Sequence, residues 1–485
     1  MMNTLLHNTR LLVALAFVAG AALRTGTFAA YQPWRPEVTR NVVLTTDAVW
    51  QDRLARNLLE GNGFSICDAP PYAPHLVVPP LCPSALAGLY ALFGERPFVG
   101  VAWNVLLSIA CMVLFPLAVL HLTRDRRAVV AAAWLMALSP TFVAHGNSLL
   151  MEQAYGMFLI ISYLVASWFL REQSPGAAVM LGATFGILNL VKFSALFIVP
   201  MFALPYLILG RTTALRRRCM LSAIILGVFY IAVLPWQLRN YSVSGCFAYT
   251  SNKWINPLFM HMREYQQHVQ GTNSDAVTAS YIARIRERTG TPFYPDTNSH
   301  PIWQMDRHYT LNDYLAMRAV FKEELAADRM GYFLFHFSRL PQFFLSVPAH
   351  EWGRQLGFPE QDLDAVNRRI AAGDVAGLRA MLGRQPAVTW FVIGVTAAGM
   401  AYLVIVYMLA AFGAWHGMAK GGEVLRVMTG FWLVWIAFII VAVGPLAHSR
   451  YRMPADPAFM ALAAVGFAVL VNRFRRAEGI PAAQG

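Results

Sequence analysis

The chain has 485 residues, of which 57% are hydrophobic and 13% charged, and its formal net charge is +13. Soluble globular proteins carry about 25% charged residues, so this composition argues against a soluble, a disordered or a disulfide-rich secreted protein. The basic balance does not indicate nucleic-acid binding, because many of the cations lie at the ends of apolar blocks rather than among interleaved aromatic residues.

Ten apolar segments approach or reach the length of a membrane span. A bilayer's ~30 Å hydrocarbon core is crossed by about 20 helical residues, and these segments lack polar residues at helical spacing. We therefore predict an all-α polytopic membrane protein with about ten transmembrane helices, the first being a retained signal anchor that follows Arg10. The predicted spans are 10–30, 97–122, 128–145, 148–170, 175–191, 193–210, 219–237, 387–412, 427–446 and 454–472.

The distribution of Arg and Lys predicts how these spans are oriented. The cations are concentrated in alternate connections, which is typical of cytoplasmic loops. The pattern favours an even number of spans with both termini inside, and it leaves two long connections on the outer side. With the N-terminus in the cytoplasm, the inner segments are 123–127, 171–176, 211–218, 415–426 and a tail from 472.

The two long extracytoplasmic segments divide the chain into regions. Connections much longer than ~15 residues usually carry function or their own structure. We predict a helix at Asp47–Leu59 in the first, and helices near Asn312–Asp328 and Gly331–Leu345 in the second, the last lying in the membrane interface. The regions are 1–30 (N-terminus and first helix), 31–96 (first outer segment), 97–237 (transmembrane core), 238–386 (second outer segment), 387–472 (C-terminal transmembrane helices) and 473–485 (cytoplasmic tail).

Cys67 and Cys82 share the first outer segment and leave two alternatives open. An oxidising compartment favours a disulfide between them, whereas two free thiols agree equally well with the sequence. No cysteine pair has the spacing to histidine that is typical of a zinc site.

Several ionisable residues fall at the predicted outer ends of spans, where such residues are candidates for function. Two carboxylates beside several cations suit the transfer of a group from a phosphate, because a carboxylate accepts a proton from an attacking hydroxyl and cations stabilise the phosphate charge. Each also has a structural alternative, since cations anchor span ends and acids cap helices. From these residues alone, a membrane enzyme and a transporter both remain open. The residues are Asp47, Glu152, Lys192, Arg239, His448, Arg450 and Arg452.

Four short motifs follow one another along the chain. They are Asp47-Ala48 followed by 54–65, Pro79–Pro83 leading to Gly94, Pro235–Tyr241 and Arg450–Pro454, with a weaker match at Gly182–Lys192. At these topological positions they resemble the C-type integral-membrane glycosyltransferases. The likeness is greatest to the dolichyl-phosphate-mannose protein mannosyltransferases and bacterial aminoarabinose transferases, and it runs from about residue 10 to 472.

The chain departs from that family at several positions. Gln51 stands where the family often has tyrosine, Lys192 stands where arginine is usual, and the loop sequence Pro-Leu-Cys-Pro ending at Pro83 replaces Pro-Gly-Tyr-Pro. No second acid follows Asp47 directly. These differences concern the sugar and the acceptor more than the type of reaction.

The resemblance implies an inverting transfer from a polyprenyl-phosphate sugar in a single displacement. Asp47 is then the base that deprotonates the acceptor hydroxyl, and Glu152 is a second catalytic residue that orients acceptor or sugar. No cofactor is implied. A divalent metal is not expected, although the oligosaccharyltransferase branch of these enzymes uses one. The implied ligands of the donor phosphate are Arg239, Arg450, Arg452 and Lys192, and the implied substrate-binding residues are His448, Tyr451 and Asn240.

The implied partners are the lipid-linked donor, a glycan, lipid or protein acceptor, and membrane lipids, without nucleic acid. The expected location is the bacterial inner membrane, with the site facing the periplasm. Two other functions remain open: a transporter or flippase for lipid-linked sugars, and a polysaccharide polymerase or ligase that uses a diphosphate-linked donor. The first is disfavoured because the sequence shows no repeat and gathers its charges at one surface.

Overall fold

The computed structural model describes residues 9–44, 47–290, 310–446 and 448–477. Within them the chain is helical apart from the long connection 60–80, which contains one isolated bridge between Ser65 and Pro74, and several shorter connections. The predicted tail 473–485 therefore lies mostly outside the described residues. The helices of the first half are α1 (Thr9–Tyr31), α2 (Asp47–Leu59), α3 (Leu81–Phe93), α4 (Pro97–Thr123), α5 (Arg126–Ala137), α6 (Pro140–Gly146), α7 (Glu152–Glu172), α8 (Pro175–Val191), α9 (Ile198–Leu209) and α10 (Leu215–Ser244).

The second half continues with short helices and then three long ones. Short π-helical and 3-10 segments (Thr39–Val43, Phe193–Phe197, Asn256–Met262 and Gly444–Leu446) and the short helices Pro36–Val38 and Asn252–Ile255 complete the fold. The helices are α11 (Arg263–Gln270), α12 (Ser274–Thr289), α13 (Leu311–Ala327), α14 (Arg329–Ser338), α15 (Leu340–Leu345), α16 (Ala349–Gln355), α17 (Glu360–Ala372), α18 (Val375–Arg384), α19 (Pro386–Ala419), α20 (Glu423–Val443), α21 (Ser449–Arg452) and α22 (Asp456–Ala477).

The structure confirms the predicted all-α membrane class and refines the number of spans. Seven helices of the described residues are long and apolar enough to cross a bilayer, or eight if α5 and α6, bent by 48° at their junction, form one span. All ten predicted segments are apolar helices, but α8, with 17 residues, is shorter than a membrane span. The segment Phe193–Leu209 is also short, because α8 ends at Val191 and a 3-10 turn, Phe193–Phe197, begins two residues later.

Helices α4 and α7 run side by side in the same direction. The Asn104 side chain near the start of α4 donates to the carbonyls of Ser148 (2.7 Å) and Leu150 (2.8 Å), just before α7. Near the other ends, the His121 ring and the Ser167 hydroxyl are 2.7 Å apart. The bundle therefore has a Glu152 end and, about 30 Å away along α7, an Arg171 end.

Two glycines let α8 and α10 pack closely. A Cβ added at Gly182 would lie 2.6 Å from the carbonyl oxygen of Ile225, and one added at Gly186 would lie 2.5 Å from the Cβ of Ala232. Small residues at helix contacts are typical of membrane proteins, where packing rather than hydrophobic burial holds the helices together. This contact fixes α8 and the residue that follows it, Lys192.

The second outer segment has its own apolar core as well as interfacial helices. A separate buried cluster joins residues of Asn252–Met262 with α11, α12, α13 and α14, including Phe259, Tyr281 and Phe335. The predicted helices near 312–328 and 331–345 correspond to α13 and to the pair α14 and α15. On α14, Met330, Phe333 and Leu334 stay more than half exposed, as expected for a helix that lies in the membrane interface.

We expect Arg24→Leu to destabilise the fold strongly. Arg24 is fully buried in α1 and donates to the Ser108 hydroxyl (2.7 Å) and to the carbonyls of Ala137 and Met136 (2.9 Å each) at the end of α5. Each of these buried acceptors left unpaired costs ~1–3 kcal/mol. The thermal unfolding midpoint of the purified variant should fall well below that of Arg10→Leu, which removes an exposed arginine from the same helix. Equal midpoints would contradict this role.

Candidate functional site

Asp47 opens α2, where a carboxylate is favoured by the helix dipole. The helix is held against α3 by Tyr90, whose hydroxyl donates to Asp52 at 2.6 Å, and by Arg56, which pairs with Glu95 just after α3 (2.6 Å) and, within α2, with Asp52 (2.9 Å). The Asp47 side chain remains 33% exposed. The structure therefore presents Asp47 from a fixed helix while leaving the carboxylate accessible, and it confirms the predicted bounds of this helix.

Glu152 opens α7 and is almost completely buried, with 1% of its side chain exposed. Lys192 follows the last residue of α8, and its ammonium group lies 3.0 Å from Glu152 Oε1. A buried carboxylate requires such a partner, because an unpaired buried charge is very costly. The close packing of α8 on α10 thus has a consequence at the site, since it positions the cation that pairs with Glu152.

Arg450, in the short helix α21, joins the two carboxylates. Its Nε donates to Glu152 Oε1 at 2.6 Å, and its Nη2 donates to Asp47 Oδ2. Burial alone would lower the pKa of Arg450, but the carboxylates of Asp47 and Glu152 outweigh it and hold the pKa well above its usual range. The Tyr451 ring lies beside the guanidinium, 5.8 Å from Cζ. The structure therefore brings Asp47, Glu152, Lys192 and Arg450 together, with Tyr451 beside them.

These four charges suit proton transfer next to an anion. The two carboxylates balance the two cations, so the cluster is close to neutral before any phosphate arrives. Among the described residues, Asp47 Oδ1 accepts no hydrogen bond and Arg450 Nη1 donates none. One acceptor and one donor are therefore available. A fixed carboxylate beside a fixed guanidinium is the arrangement that deprotonates a hydroxyl and stabilises phosphate charge at neighbouring positions.

Arg452 lies outside this cluster. It is 1% exposed and donates from Nε to Asp456 (2.9 Å), from Nη1 to the Ser346 carbonyl (2.8 Å) and from Nη2 to the Thr141 hydroxyl (3.3 Å). With all three nitrogens engaged inside the protein, it ties α21 and α22 to α6 and to the connection after α15. The structure therefore places Arg452 as an internal brace, and the predicted phosphate contact finds no support in its surroundings.

Arg239 contacts the first outer segment, and Asn240 contacts the start of the second. Arg239 donates to the His75 carbonyl (2.8 Å), and its guanidinium lies 4.9 Å from the Trp236 ring. Asn240 is buried and donates to the carbonyls of Ala248 (3.1 Å) and Tyr249 (2.9 Å). These contacts close the base of the loop after α10, so the predicted substrate contact of Asn240 has no support either. The predicted phosphate contact of Arg239 stays a prediction.

We expect His75 to make the stability of the protein depend on pH. Burial and the neighbouring Arg239 lower its pKa to about 3. The unfolded chain binds a proton at His75 below a pKa of about 6.5 and the folded chain does not, so stability falls as pH drops from about 6.5 towards 3. The slope reaches at most about 1.4 kcal/mol per pH unit. Unfolding midpoints measured across this range should fall less for His75→Phe, which keeps the ring contacts with Trp50 and Phe64. Parallel curves would contradict the assignment.

Two cavities adjoin the charged cluster. An apolar one of about 210 Å³ is lined by Gln51, one turn after Asp47, and by side chains of α3, α4 and α7. A polar one of about 270 Å³ is lined by Ala48, Arg450 and Tyr451 together with residues of α6 and α16. Leu149 and Leu150 line both cavities, so this short segment separates them. The charged cluster therefore lies between an apolar cavity and a polar cavity.

The polar cavity is also lined by charged and polar side chains that belong to none of the sequence motifs. Glu351 of α16 accepts from His448 Nε2 at 3.2 Å, and His145 lies in the same wall. Burial raises the pKa of Glu351, but the nearby His448 and His145 outweigh it and hold the pKa below its usual range. His448 therefore lies in the wall of the polar cavity, where it contacts Glu351. Nothing in the motifs pointed to Glu351, because it lies within the second outer segment, where none of the four motifs falls beyond residue 241.

The structure also addresses the cysteines and the metal. Cys67 and Cys82 are not joined by a disulfide. In the part of the chain that the structure describes, no group of three or more His, Cys, Asp or Glu side chains is arranged to hold a metal ion. The expectation of a metal-independent reaction stays a prediction.

Comparison with known families finds one match. Residues 77–236 match the family described as dolichyl-phosphate-mannose-protein mannosyltransferase. The matched part contains Glu152 and Lys192, and it ends before Arg450. A comparison of the sequence with curated proteins finds no match.

Two solved structures share the fold, and a third is less similar. The apo form of the oligosaccharyltransferase from Archaeoglobus fulgidus is similar with a TM-score of 0.52 and 13% identity, over 98% of this chain and 52% of that chain. The oligosaccharyltransferase AglB from Archaeoglobus fulgidus, in complex with an inhibitory peptide and a dolichol-phosphate, gives a TM-score of 0.51 at 13% identity, with 98% and 52% covered. ArnT from Cupriavidus metallidurans bound to undecaprenyl phosphate gives 0.38 at 15% identity, with 96% and 78% covered.

The chain spans about half the length of the oligosaccharyltransferase chains it matches. Within that half, the fold is shared at 13% sequence identity. The matched family and the shared fold together confirm that the protein resembles the C-type integral-membrane glycosyltransferases.

Proposed function

We propose that this protein transfers a sugar from a polyprenyl-phosphate donor to the hydroxyl of an acceptor at the membrane surface. The observation that carries the proposal is Arg450, which links the exposed carboxylate of Asp47 to the buried carboxylate of Glu152 at the junction of an apolar and a polar cavity. The match of residues 77–236 to the mannosyltransferase family supports the same class of donor.

In this reaction Asp47 is the general base. Its carboxylate accepts the proton of the acceptor hydroxyl, whose oxygen attacks the anomeric carbon as the bond from that carbon to the lipid phosphate breaks. The configuration inverts, and the lipid phosphate leaves with the electron pair. Glu152 stays ionised between Lys192 and Arg450, where it orients both cations rather than exchanging protons.

The donor phosphate is held by Arg450 and Lys192 at the mouth of the apolar cavity. Val191, the residue before Lys192, lines that cavity, so the lipid tail and its phosphate meet the protein at adjacent positions. Arg450 contributes Nη1 and Lys192 contributes the ammonium hydrogens that do not face Glu152. The four charges of the cluster nearly cancel, so a bound donor phosphate adds net negative charge. Both cations, Arg450 and Lys192, are therefore needed to stabilise the lipid phosphate as it leaves.

The acceptor enters from the polar cavity. Tyr451, His448 and Glu351 line its wall, and Ala48 places it beside Asp47. A polar hydroxyl compound fits such a wall better than an apolar one, because buried carboxylate and imidazole groups require hydrogen-bond partners. Positively charged loops at the opposite end favour a site that faces the periplasm of a bacterial inner membrane.

The test is to offer purified protein a radiolabelled polyprenyl-monophosphate sugar and, separately, a diphosphate-linked sugar, with membrane extract as acceptor. We expect consumption of the monophosphate donor only. Consumption of the diphosphate donor alone would favour a polymerase or ligase. Movement of intact lipid-linked sugar across proteoliposomes without any consumption would favour a transporter.

A further inference from the structure

A third cavity lies at the Arg171 end of the bundle, away from the charged cluster. It has a volume of about 590 Å³ and lies where the ends of α4, α7 and α19 meet α22. Arg171 fixes its rim, because Nη2 donates to the carbonyls of His121 (2.6 Å) and Leu122 (3.1 Å) at the end of α4. The cavity is therefore about 30 Å from Glu152 along α7 and separate from the proposed transfer site.

Four cations line this cavity: Arg124, Arg171, Lys420 and Arg473. In the described part of the chain, none of them forms a salt bridge. The Arg171 Nε is buried and has no hydrogen-bond partner among those residues. The wall therefore carries positive charge that no ion pair among the described residues neutralises.

The two acids in the same wall are engaged elsewhere. Asp125 accepts from the Arg127 backbone N–H at 2.8 Å and from the Asn472 side chain at 3.2 Å. Glu423 accepts from the backbone N–H and the hydroxyl of Thr212, both at 2.8 Å. Because both carboxylates hold helix ends and connections together, they do not turn towards the cations.

Aromatic and apolar groups complete the cavity. The Arg473 guanidinium lies 5.0 Å from the Phe412 ring and 5.4 Å from Trp415, and the Lys420 ammonium lies 5.4 Å from Trp415. Trp415 is 47% exposed at the end of α19, a position typical of the membrane interface. Val465 and Val469 of α22 supply an apolar wall. A ligand here meets positive charge at one side and hydrocarbon at the other.

We propose that this cavity binds the phosphodiester headgroup of an anionic phospholipid. Basic residues at one end of a membrane protein also arise from topology alone, but topology requires neither a concave site nor acids that are engaged elsewhere. Basic pockets between spans at the cytoplasmic side are where anionic headgroups bind. Lipid binding here is independent of the transfer reaction proposed for the Glu152 end.

The test uses the full-length protein in a neutral detergent, titrated with phosphatidylglycerol or phosphatidylcholine and followed by native mass spectrometry. We expect phosphatidylglycerol to bind at least about tenfold more tightly, and the combined variant Arg124→Ala, Lys420→Ala and Arg473→Ala to weaken it by about fivefold for each cation removed. A matched control replaces three exposed arginines of the same end that lie outside the cavity, Arg126, Arg211 and Arg216, with alanine, and should bind nearly as the wild type does.

Lys420→Ala alone is a second variant in case the triple variant does not fold, and it should weaken binding by about fivefold. Inorganic phosphate and glycerol 3-phosphate at millimolar concentration should not displace the lipid, since they lack its tails. Equal binding of the two lipids, or equal losses in the cavity and control variants, would overturn the proposal. Displacement by inorganic phosphate at lipid-like concentrations would also overturn it, in favour of a soluble anion.

Discussion

Asp47→Asn is expected to lower sugar transfer by about 100- to 10,000-fold, the range that a positioned general base contributes. The amide keeps the size of the carboxylate and still accepts a hydrogen bond from Arg450, but it does not take a proton from the acceptor hydroxyl. Transfer from a radiolabelled polyprenyl-phosphate sugar is measured in membranes with matched amounts of wild type and variant. Donor binding should change far less than turnover, because the donor phosphate is held by cations.

The matched control for this loss is Asp68→Asn. Asp68 is an acid of the same outer segment, 67% exposed and paired with Arg53 at 2.7 Å, so its amide variant should transfer sugar as the wild type does. Undiminished transfer by Asp47→Asn would show that the base lies elsewhere, and Glu152 is then the next carboxylate to replace. Equal losses in both variants would point to the fold of the outer segment rather than to proton transfer.

Much of the fold follows from the apolar blocks of the sequence. Helix α2 has the predicted bounds, because an acid at its start and the glycine-rich stretch after Leu59 mark both ends. The length of the spans is less predictable. The segment 128–145 reads as one continuous apolar block, yet it bends by 48° between Ala137 and Pro140, where Ser139 caps the second helix.

The residues of the site are predictable where motif and topology agree. The directions in which their side chains point are less predictable. Asp47, Glu152, Lys192 and Arg450 were expected at one level of the membrane and meet there. Arg452 was grouped with Arg450 although residues two apart on a helix point about 200° apart, so one guanidinium faces the carboxylates and the other faces Asp456. The opposite directions of the Arg450 and Arg452 side chains follow from their spacing only when α21 is known to be helical.

Glu351 illustrates what the sequence does not reveal. It reaches His448 across nearly a hundred residues, through the packing of α16 beside α6 and α21. No local periodicity records a contact of that kind. The same holds for His145, which becomes part of the site because α6 turns away from α5.

Arg450→Gln should abolish transfer and destabilise the fold as well. Without the guanidinium, Asp47 and the buried Glu152 retain only Lys192, which pairs with Glu152 alone. Removing one partner from a buried charge pair typically costs ~3–5 kcal/mol, and here the two carboxylates are left to share the single cation Lys192. The thermal unfolding midpoint should therefore drop far more than in Arg53→Gln, whose partner Asp68 is a surface acid and whose loss costs about 1 kcal/mol or less.

A double variant separates the two effects of Arg450. Adding Glu152→Gln to Arg450→Gln leaves one carboxylate, Asp47, and one cation, Lys192, so the unfolding midpoint should recover in part while transfer stays absent, because the Arg450 guanidinium for the donor phosphate is still missing. Arg450→Lys keeps the positive charge, but it replaces a guanidinium that contacts both carboxylates by a single ammonium group. The variant should therefore keep more of its thermal stability than of its transfer activity. Recovery of transfer in the double variant would mean that Arg450 serves only to neutralise Glu152, and the phosphate role would then fall to Lys192.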